Sequence, residues 1–191
     1  MVALYGAAGL SQRRQAYVLL ERAVCLCWGW ERLPEVERAA RGKPWFPQFS
    51  RHHFNLSHSG SWALCVLSDH PVGVDIQEIR PAWSPKLVER TCTPAERAWL
   101  SACGDRPEDF AALWACKESV GKRSGYGLPY PPSRLEIPLP EGGGALSAGQ
   151  TFELDGALLR GYAGDGWRGA VCAGEAPPQE RERKRRPVRY K

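Results

Sequence analysis

The residues best suited to chemistry lie in the stretch WACKESVGKRSG, residues 114–125. On a helix at about 100° per residue, Lys117 falls inside an apolar arc, Glu118 lies at its edge and Lys122 follows one turn later. Glu118 and Lys122 also fit a surface ion pair, worth ~0.3–0.5 kcal/mol. A buried lysine needs a partner or a wet pocket. We therefore predict a pocket in which a carboxylate and ammonium groups hold a metal and an anion.

A second group of oxygen atoms lies in the stretch GVDIQEI, residues 73–79. The alternation of a β-strand places Asp75 and Gln77 on one face. Two strand oxygens together with the helix carboxylate Glu118 suit Mg²⁺, which takes few protein oxygens and keeps waters and substrate phosphates. The alternative for this segment alone is a polar face at the end of a strand.

Two further stretches carry groups that bind phosphate. FNLSHSG, residues 54–60, is predicted to form a short strand and then a turn before the next strand, and serine and asparagine are common in such turns. Lys43 lies upstream in a GKP loop. Lys43, Ser57 and His58 could together hold a phosphate through charge-assisted hydrogen bonds, although a single histidine is more often structural.

The pattern of the whole chain predicts an α+β fold. Helices are predicted over residues 11–28, from the Thr93 cap onward, and over residues 108–124, and short strands follow each helical region. This repetition predicts two similar α+β halves, residues 1–79 and 80–178, followed by a basic, disordered tail over residues 179–191.

The order of these stretches, GKP, FNLSHSG, GVDI and WACKESVGK, resembles that of the 4′-phosphopantetheinyl transferases, specifically the surfactin-type, pseudo-dimeric class. The resemblance runs from about residue 13 to residue 174. It implies a fold of two similar α+β halves with the active site between them.

The resemblance also implies a reaction. Coenzyme A and an apo acyl or peptidyl carrier protein bind with Mg²⁺, and a serine of the carrier attacks the β-phosphorus of coenzyme A. Phosphopantetheine is transferred and 3′,5′-ADP leaves. Since the nucleophile belongs to the carrier, the chain needs no nucleophile of its own.

The resemblance assigns the chemistry to three residues. Asp75 and Glu118 match the family's metal-binding acids, and Glu118 is also the candidate to take the serine proton. Lys122 matches the lysine that contacts the diphosphate. Gln77 stands where many members have a glutamate, and a neutral amide is a weaker ligand for Mg²⁺. Glu96 matches a polar position near the site.

The resemblance assigns a second set of residues to the binding of coenzyme A: Arg14, Lys43, Ser57, His58 and Lys117. Arg14 is expected near the 3′-phosphate. Lys43 and Ser57 are expected near both the adenine and the 3′-phosphate. His58 is expected at a phosphate, and Lys117 in the pocket. Only the ten residues MVALYGAAGL precede residue 11, so the N-terminal strand of the class is expected to be mostly absent.

Composition limits the other functions. The tail holds seven of the 26 basic and two of the 21 acidic residues, so its net charge is +5. Residues 1–178 therefore have a net charge of zero. A nucleic-acid partner is therefore not expected. No apolar run is long enough to span a membrane, and the seven cysteines lack C-x-x-C spacing. We expect a cytoplasmic monomer with reduced thiols.

Three alternatives remain open from the sequence. One is another metal-dependent phosphohydrolase that cleaves coenzyme A or a nucleotide with the same acids. Another is a non-enzymatic protein that binds nucleic acid through its basic tail. The last is a relative in which Gln77 marks lost metal affinity.

Overall fold

The structure of the chain is a computed structural model, and it describes residues 1–10, 12, 14–125, 127, 131–140, 146, 149–154 and 156–174. The predicted tail, residues 179–191, lies outside these residues, as do residues 11 and 13 of the predicted first helix. The described part combines helices with antiparallel sheets, which confirms the α+β fold class.

The first part of the chain forms a three-stranded antiparallel sheet, a small hairpin and one helix. Its elements are β1 (Val2–Ala8), α1 (Gln15–Trp28), β2 (Glu37–Arg38), β3 (Pro44–Trp45), β4 (His53–Ser59) and β5 (Trp62–Ser68). The strand order is β1-β5-β4, and β2 pairs only with β3. Leu20 and Val24 of α1 pack with Phe46 and Phe54 in an apolar cluster. Burial of these side chains stabilises α1, because an isolated helix of this length is only marginally stable in water.

The second part forms a four-stranded antiparallel sheet and three helices. Its elements are β6 (Val72–Glu78), α2 (Pro85–Thr91), α3 (Pro94–Ala102), α4 (Pro107–Ser124), a 3₁₀ turn (Pro132–Arg134), β7 (Thr151–Leu154), β8 (Ala157–Gly164) and β9 (Trp167–Gly174). The strand order is β6-β9-β8-β7. The helix α4 packs on β6 and β9.

The ends of α3 and α4 follow from their sequences. Thr93 and Glu96 form a capping box at the start of α3, which satisfies two backbone N–H groups that lack partners within the helix. The helix α4 begins at Pro107 and is followed by Gly125 in a left-handed conformation (φ 74°), a common helix ending. The predicted positions of both helices are confirmed.

The two sheets meet through apolar side chains and through neighbouring edges. Leu64 and Val66 of β5 lie in one buried cluster with Val74 of β6 and Val171 of β9. The strands β4 and β6 also lie next to each other. The sequence assigned β6 to the first half, yet its backbone pairs with β9 in the second sheet.

Two details of the first sheet differ from the prediction. The N-terminal strand is present, because β1 pairs with β5 from Val2 opposite Ser68 to Ala8 opposite Trp62. The short strand predicted in FNLSHSG is longer than expected, because β4 continues to Ser59 through residues that were assigned to a turn. Serine is typical of turns, and the alanines and glycine of β1 have low strand propensity.

All seven cysteines are thiols rather than disulfide-bonded, as predicted. Among the helices in the described ranges, none combines the length and the apolar character needed to cross a bilayer.

Candidate active site

A cavity of about 510 Å³ opens between the first sheet, the β2–β3 hairpin and the C-terminal end of α4. Its lining draws on both parts of the chain. The side chains that can carry charge there are Arg38, Arg41, Lys43, His58, Glu118 and Lys122. Five of these six are basic or histidine, so the cavity favours an anionic ligand.

Lys122 and Asp75 form an ion pair beside this cavity. Lys122 Nζ lies 2.6 Å from Asp75 Oδ1, and the Asp75 side chain is almost fully buried. Ser57 completes the group, because its hydroxyl donates to Asp75 Oδ1 at 2.7 Å and accepts from Lys122 Nζ at 3.0 Å. The partner of Lys122 is thus a strand carboxylate, which differs from the surface pairing with Glu118 that the helical spacing allowed.

Glu118 lines the cavity one helical turn before Lys122. Burial raises the pKa of the Glu118 carboxyl, the negative charge of Asp75 raises it further, and Lys122 acts in the opposite direction. A carboxylate with a raised pKa is a better base than an ordinary one.

Asp75 and Glu118 are the carboxylates at this site that could hold a divalent cation, and such an ion would offset the negative charge of Asp75 that acts on Glu118. Gln77 does not join them in this structure. Its amide nitrogen donates to Ser59 Oγ at 3.3 Å and to the Glu78 carbonyl at 3.1 Å. Within the described ranges, no three His, Cys, Asp or Glu side chains are grouped as metal ligands. Any ion here would depend on two carboxylates and on oxygens from water or substrate.

Lys43 lines the cavity and forms hydrogen bonds at the end of α4 and at the start of β6. Its ammonium group donates to the carbonyls of Arg123 at 2.8 Å and Val72 at 3.1 Å. Burial lowers the pKa of Lys43 to about 8, and the positive charge of Arg123 contributes to the decrease. The binding of an anion would relieve this repulsion.

The remaining residues assigned to coenzyme A differ in position. His58 lines the cavity with an exposed side chain. Ser57 is buried, and its hydroxyl is occupied by Asp75 and Lys122. Arg14 is exposed just before α1. The α1 residues that line the cavity are Ala16 and Tyr17.

Lys117 lies away from the cavity, in the apolar interior. Its ammonium group pairs with Glu96 Oε2 at 2.6 Å and donates to the carbonyls of Pro132 at 2.9 Å and Leu135 at 2.6 Å. Glu96 also accepts from the Ile137 N–H at 2.9 Å. These three contacts use the three ammonium protons. The helical pattern located Lys117 correctly in a buried position, and its partner in this structure is Glu96. Neither residue is among those that line the cavity.

Sequence reasoning missed Arg38, Arg41 and Tyr17 as cavity residues. Arg38 donates to the Tyr17 hydroxyl at 3.1 Å and to the Gly42 carbonyl at 2.9 Å, which links α1 to the β2–β3 hairpin. The available signal was the run ERAARGK, where three basic residues lie close together before the GKP proline.

A glycine brings the strand and the helix of the site together. A Cβ atom at Gly73 would collide with the Ser119 carbonyl oxygen and the Arg123 nitrogen, and would lie 2.9 Å from the Lys122 carbonyl carbon. The absence of a side chain therefore lets the α4 backbone approach β6 closely. This approach places Asp75 in contact with Lys122.

Comparison with known proteins agrees with this geometry. The family model of the 4′-phosphopantetheinyl transferase superfamily matches residues 71–172, which include Asp75, Glu118 and Lys122. A 4′-phosphopantetheinyl transferase of Bacillus subtilis is 35% identical over 139 residues, which cover 69% of this chain and 59% of that relative. The psf-1 transferase of Bacillus pumilus is 40% identical over 63% of this chain and 56% of its own length.

A further relative is the transferase AcpT of Salmonella typhimurium, 37% identical over 56% of this chain and 55% of its own length. The chain thus spans less than two thirds of the length of these relatives. The matched region nevertheless covers more than half of the chain and contains the site's three central charges. The chain belongs to the 4′-phosphopantetheinyl transferase superfamily.

Proposed function

We propose that this protein transfers 4′-phosphopantetheine from coenzyme A to a serine of an apo acyl or peptidyl carrier protein and releases 3′,5′-ADP. The observation that carries the proposal is the contact between Lys122 and Asp75 beside a cavity that Glu118 lines. The family membership and the names of the relatives support the same reaction class.

Coenzyme A would occupy the cavity through its phosphates. The described lining offers Arg38, Arg41, Lys43, His58 and Lys122 as cationic or hydrogen-bonding groups. Charge-assisted bonds from such groups are roughly twice as strong as neutral ones. In this proposal Lys122 meets the diphosphate, and the groups of the β2–β3 hairpin meet the 3′-phosphoadenosine end.

The transfer is a displacement at phosphorus. The carrier's serine oxygen forms a bond to the β-phosphorus, and the bond from that phosphorus to the oxygen of the 3′,5′-ADP leaving group breaks. Glu118 accepts the serine proton, directly or through a water, since it is a carboxylate that lines the cavity beside Lys122. Lys122 offsets the negative charge that develops on the leaving group.

Asp75 and Glu118 would hold Mg²⁺. When bound, the ion would supply Lewis-acid neutralisation of the diphosphate charge. Asp75 also orients the Lys122 ammonium group through their direct ion pair. Arg14, Ser57 and Gln77 are not needed as direct ligands in this scheme.

The test is mass spectrometry of purified apo acyl and apo peptidyl carriers incubated with the protein, coenzyme A and Mg²⁺. The proposal predicts that at least one carrier gains a single phosphopantetheine group on its serine, with an equal amount of 3′,5′-ADP formed. Release of 3′,5′-ADP without a modified carrier would instead support the phosphohydrolase alternative. A Glu118→Gln variant, which keeps the size of the side chain, serves as the inactive control.

A further inference from the structure

A second cavity, of about 370 Å³, lies next to the cavity that Glu118 lines. Its walls come from the β2–β3 hairpin, from the segment between β3 and β4, and from the C-terminal end of α4. Arg41, Lys43 and Gly125 line both cavities, so they lie between the two spaces. Trp45 lines the second cavity but not the first, and we call this second space the Trp45 cavity.

The described lining of the Trp45 cavity carries positive charge and includes no Asp or Glu side chain. Its titratable residues are Arg41, Lys43, His52, His53 and Arg123. Burial lowers the pKa of His53 and the charge of Lys43 lowers it further, while Asp69 acts in the opposite direction. Asp69 itself is paired with the N-terminal amine of Met1. The Trp45 cavity therefore favours an anion.

Arg123 is a permanent cation that lines the Trp45 cavity but not the first cavity. Its Nε atom is buried and has no hydrogen-bond partner among the residues that the structure describes. None of the ion pairs between described residues includes Arg123. A buried N–H donor without an acceptor is unfavourable. An anionic ligand beside Arg123 would supply a counter-charge and an acceptor.

Aromatic side chains form another part of the wall. They are Trp45, Phe46, Phe49 and His52. Phe46 is almost fully buried, whereas Trp45 is 42% exposed. An indole with this much exposed area can stack on the flat ring of a ligand. Small-molecule sites commonly combine such an apolar wall with a few polar groups, in cavities of about 300–1,000 Å³.

We propose that the Trp45 cavity is a second ligand site, separate from the proposed coenzyme A site, which holds a phosphorylated aromatic compound of the nucleoside monophosphate type. The ring of the ligand stacks on Trp45, and its phosphate lies at Arg123. Positive charge alone would select any anion, and an aromatic wall alone would select any flat apolar molecule. The two together select a ligand that has both groups. This inference goes beyond the proposed transfer and does not depend on it.

The test is calorimetric titration of protein that is saturated with coenzyme A, without metal or carrier so that no transfer occurs. The probes are guanosine 5′-monophosphate and uridine 5′-monophosphate. Guanosine, uridine and inorganic phosphate are the controls that carry only the ring or only the charge. We expect at least one nucleotide to bind with one equivalent per chain and a Kd below about 1 mM. The controls should bind at least about tenfold more weakly.

Two substitutions remove the two parts of the site separately. Trp45→Ala removes the stacking surface and should weaken nucleotide binding roughly 5- to 100-fold, as expected for the loss of one stacking aromatic. Arg123→Gln removes the cation and should weaken binding about tenfold or more. Trp45→Phe keeps a ring and should retain most of the affinity. Arg90→Gln is the matched control for Arg123→Gln, because Arg90 is exposed on α2 and is not among the lining residues of either cavity.

The proposal is supported if a nucleotide binds beside coenzyme A, and if Trp45→Ala and Arg123→Gln weaken that binding while Trp45→Ala keeps wild-type affinity for coenzyme A. It is overturned if neither nucleotide binds, if one binds only in the absence of coenzyme A, or if inorganic phosphate binds as tightly as the nucleotides. Wild-type nucleotide affinity in both variants would also overturn it. Thermal unfolding identifies a variant that does not fold, in which case the other variant decides.

The failure of this proposal is distinguishable from that of the proposed function. If the wild-type protein binds no coenzyme A, the proposed function fails. The effect of Trp45→Ala on nucleotide binding still decides the role of the Trp45 cavity, because Trp45 does not line the first cavity.

Discussion

At the scale of residues, two lysines on α4 show how position on a helix decides the role of a charge. Lys122 contacts Asp75 beside the cavity and is partly exposed, whereas Lys117 is buried against Glu96. An ammonium group inside an apolar interior is tolerated only with full hydrogen bonding, which Glu96 and two carbonyls supply. Lys117 therefore stabilises the fold, and Lys122 is available for chemistry.

Replacement of Lys117 tests this distinction. Lys117→Met should lower the free energy of unfolding by about 3–5 kcal/mol, because it leaves the buried Glu96 carboxylate without its cation. The affinity of the folded fraction for coenzyme A should not change. Urea unfolding and calorimetric titration measure the two quantities, with Lys86→Met at an exposed position as the control. If Lys117→Met has normal stability but binds coenzyme A more weakly, Lys117 contributes to coenzyme A binding rather than to the stability of the fold.

The lowered pKa of Lys43 predicts a pH dependence of binding. Lys43 carries its positive charge below a pKa of about 8 and loses it above that value. If Lys43 contacts coenzyme A, affinity should fall as the pH rises from 7 to 9. Lys43→Arg, whose guanidinium stays charged, should remove the inflection near pH 8. A wild-type dissociation constant that is flat across this range would exclude a charge contact from Lys43.

At the scale of elements, the strand β6 and the helix α4 form the frame of the site. The strand carries Asp75, the helix carries Glu118 and Lys122, and Gly73 lets the two backbones approach. The glycine is as important to the site as the charged residues, because a methyl group there would push the helix away from the strand.

Gly73→Ala is therefore expected to damage both stability and turnover. The added Cβ would collide with backbone atoms of Ser119 and Arg123, which cannot rotate away as a side chain can. We expect a loss of about 1–3 kcal/mol in unfolding free energy and a large decrease in kcat. Chemical unfolding and the carrier assay measure these effects.

Gly174→Ala is the control for Gly73→Ala. A Cβ at Gly174 would lie 3.8 Å from a terminal nitrogen of Arg123, an ordinary contact. Wild-type stability and rate in Gly73→Ala would show that the close approach is not required.

The elements differ in how well the sequence predicted them. The start of α3 and the end of α4 were predictable, since Thr93, Glu96 and Gly125 act through local capping chemistry. The full length of β4 was not, because Ser57 and Ser59 are typical turn residues whose role as hydrogen-bond acceptors depends on β6, a strand that does not directly follow β4. The residue pattern of a short segment therefore predicts interactions within that segment, such as helix capping, but not its contacts with other strands.

At the scale of the whole molecule, the site depends on how the two parts of the chain pack together. Ser57 and His58 come from the first sheet, and Glu118 and Lys122 from α4. The residue types and their order predicted Asp75, Glu118 and Lys122 together. The sequence did not predict the pairing of β6 with β9, because strand order depends on contacts between distant segments. The division into halves at residue 79 remains a prediction.

The most direct test of the account is whether Asp75 and Glu118 share one divalent ion. We propose to titrate Mn²⁺ into the protein with coenzyme A present and to follow the free ion by electron paramagnetic resonance. The account predicts that the wild-type protein and Gln77→Ala bind one Mn²⁺, and that Asp75→Asn and Glu118→Gln each lose that site. Wild-type Mn²⁺ affinity in either of the last two variants would contradict it.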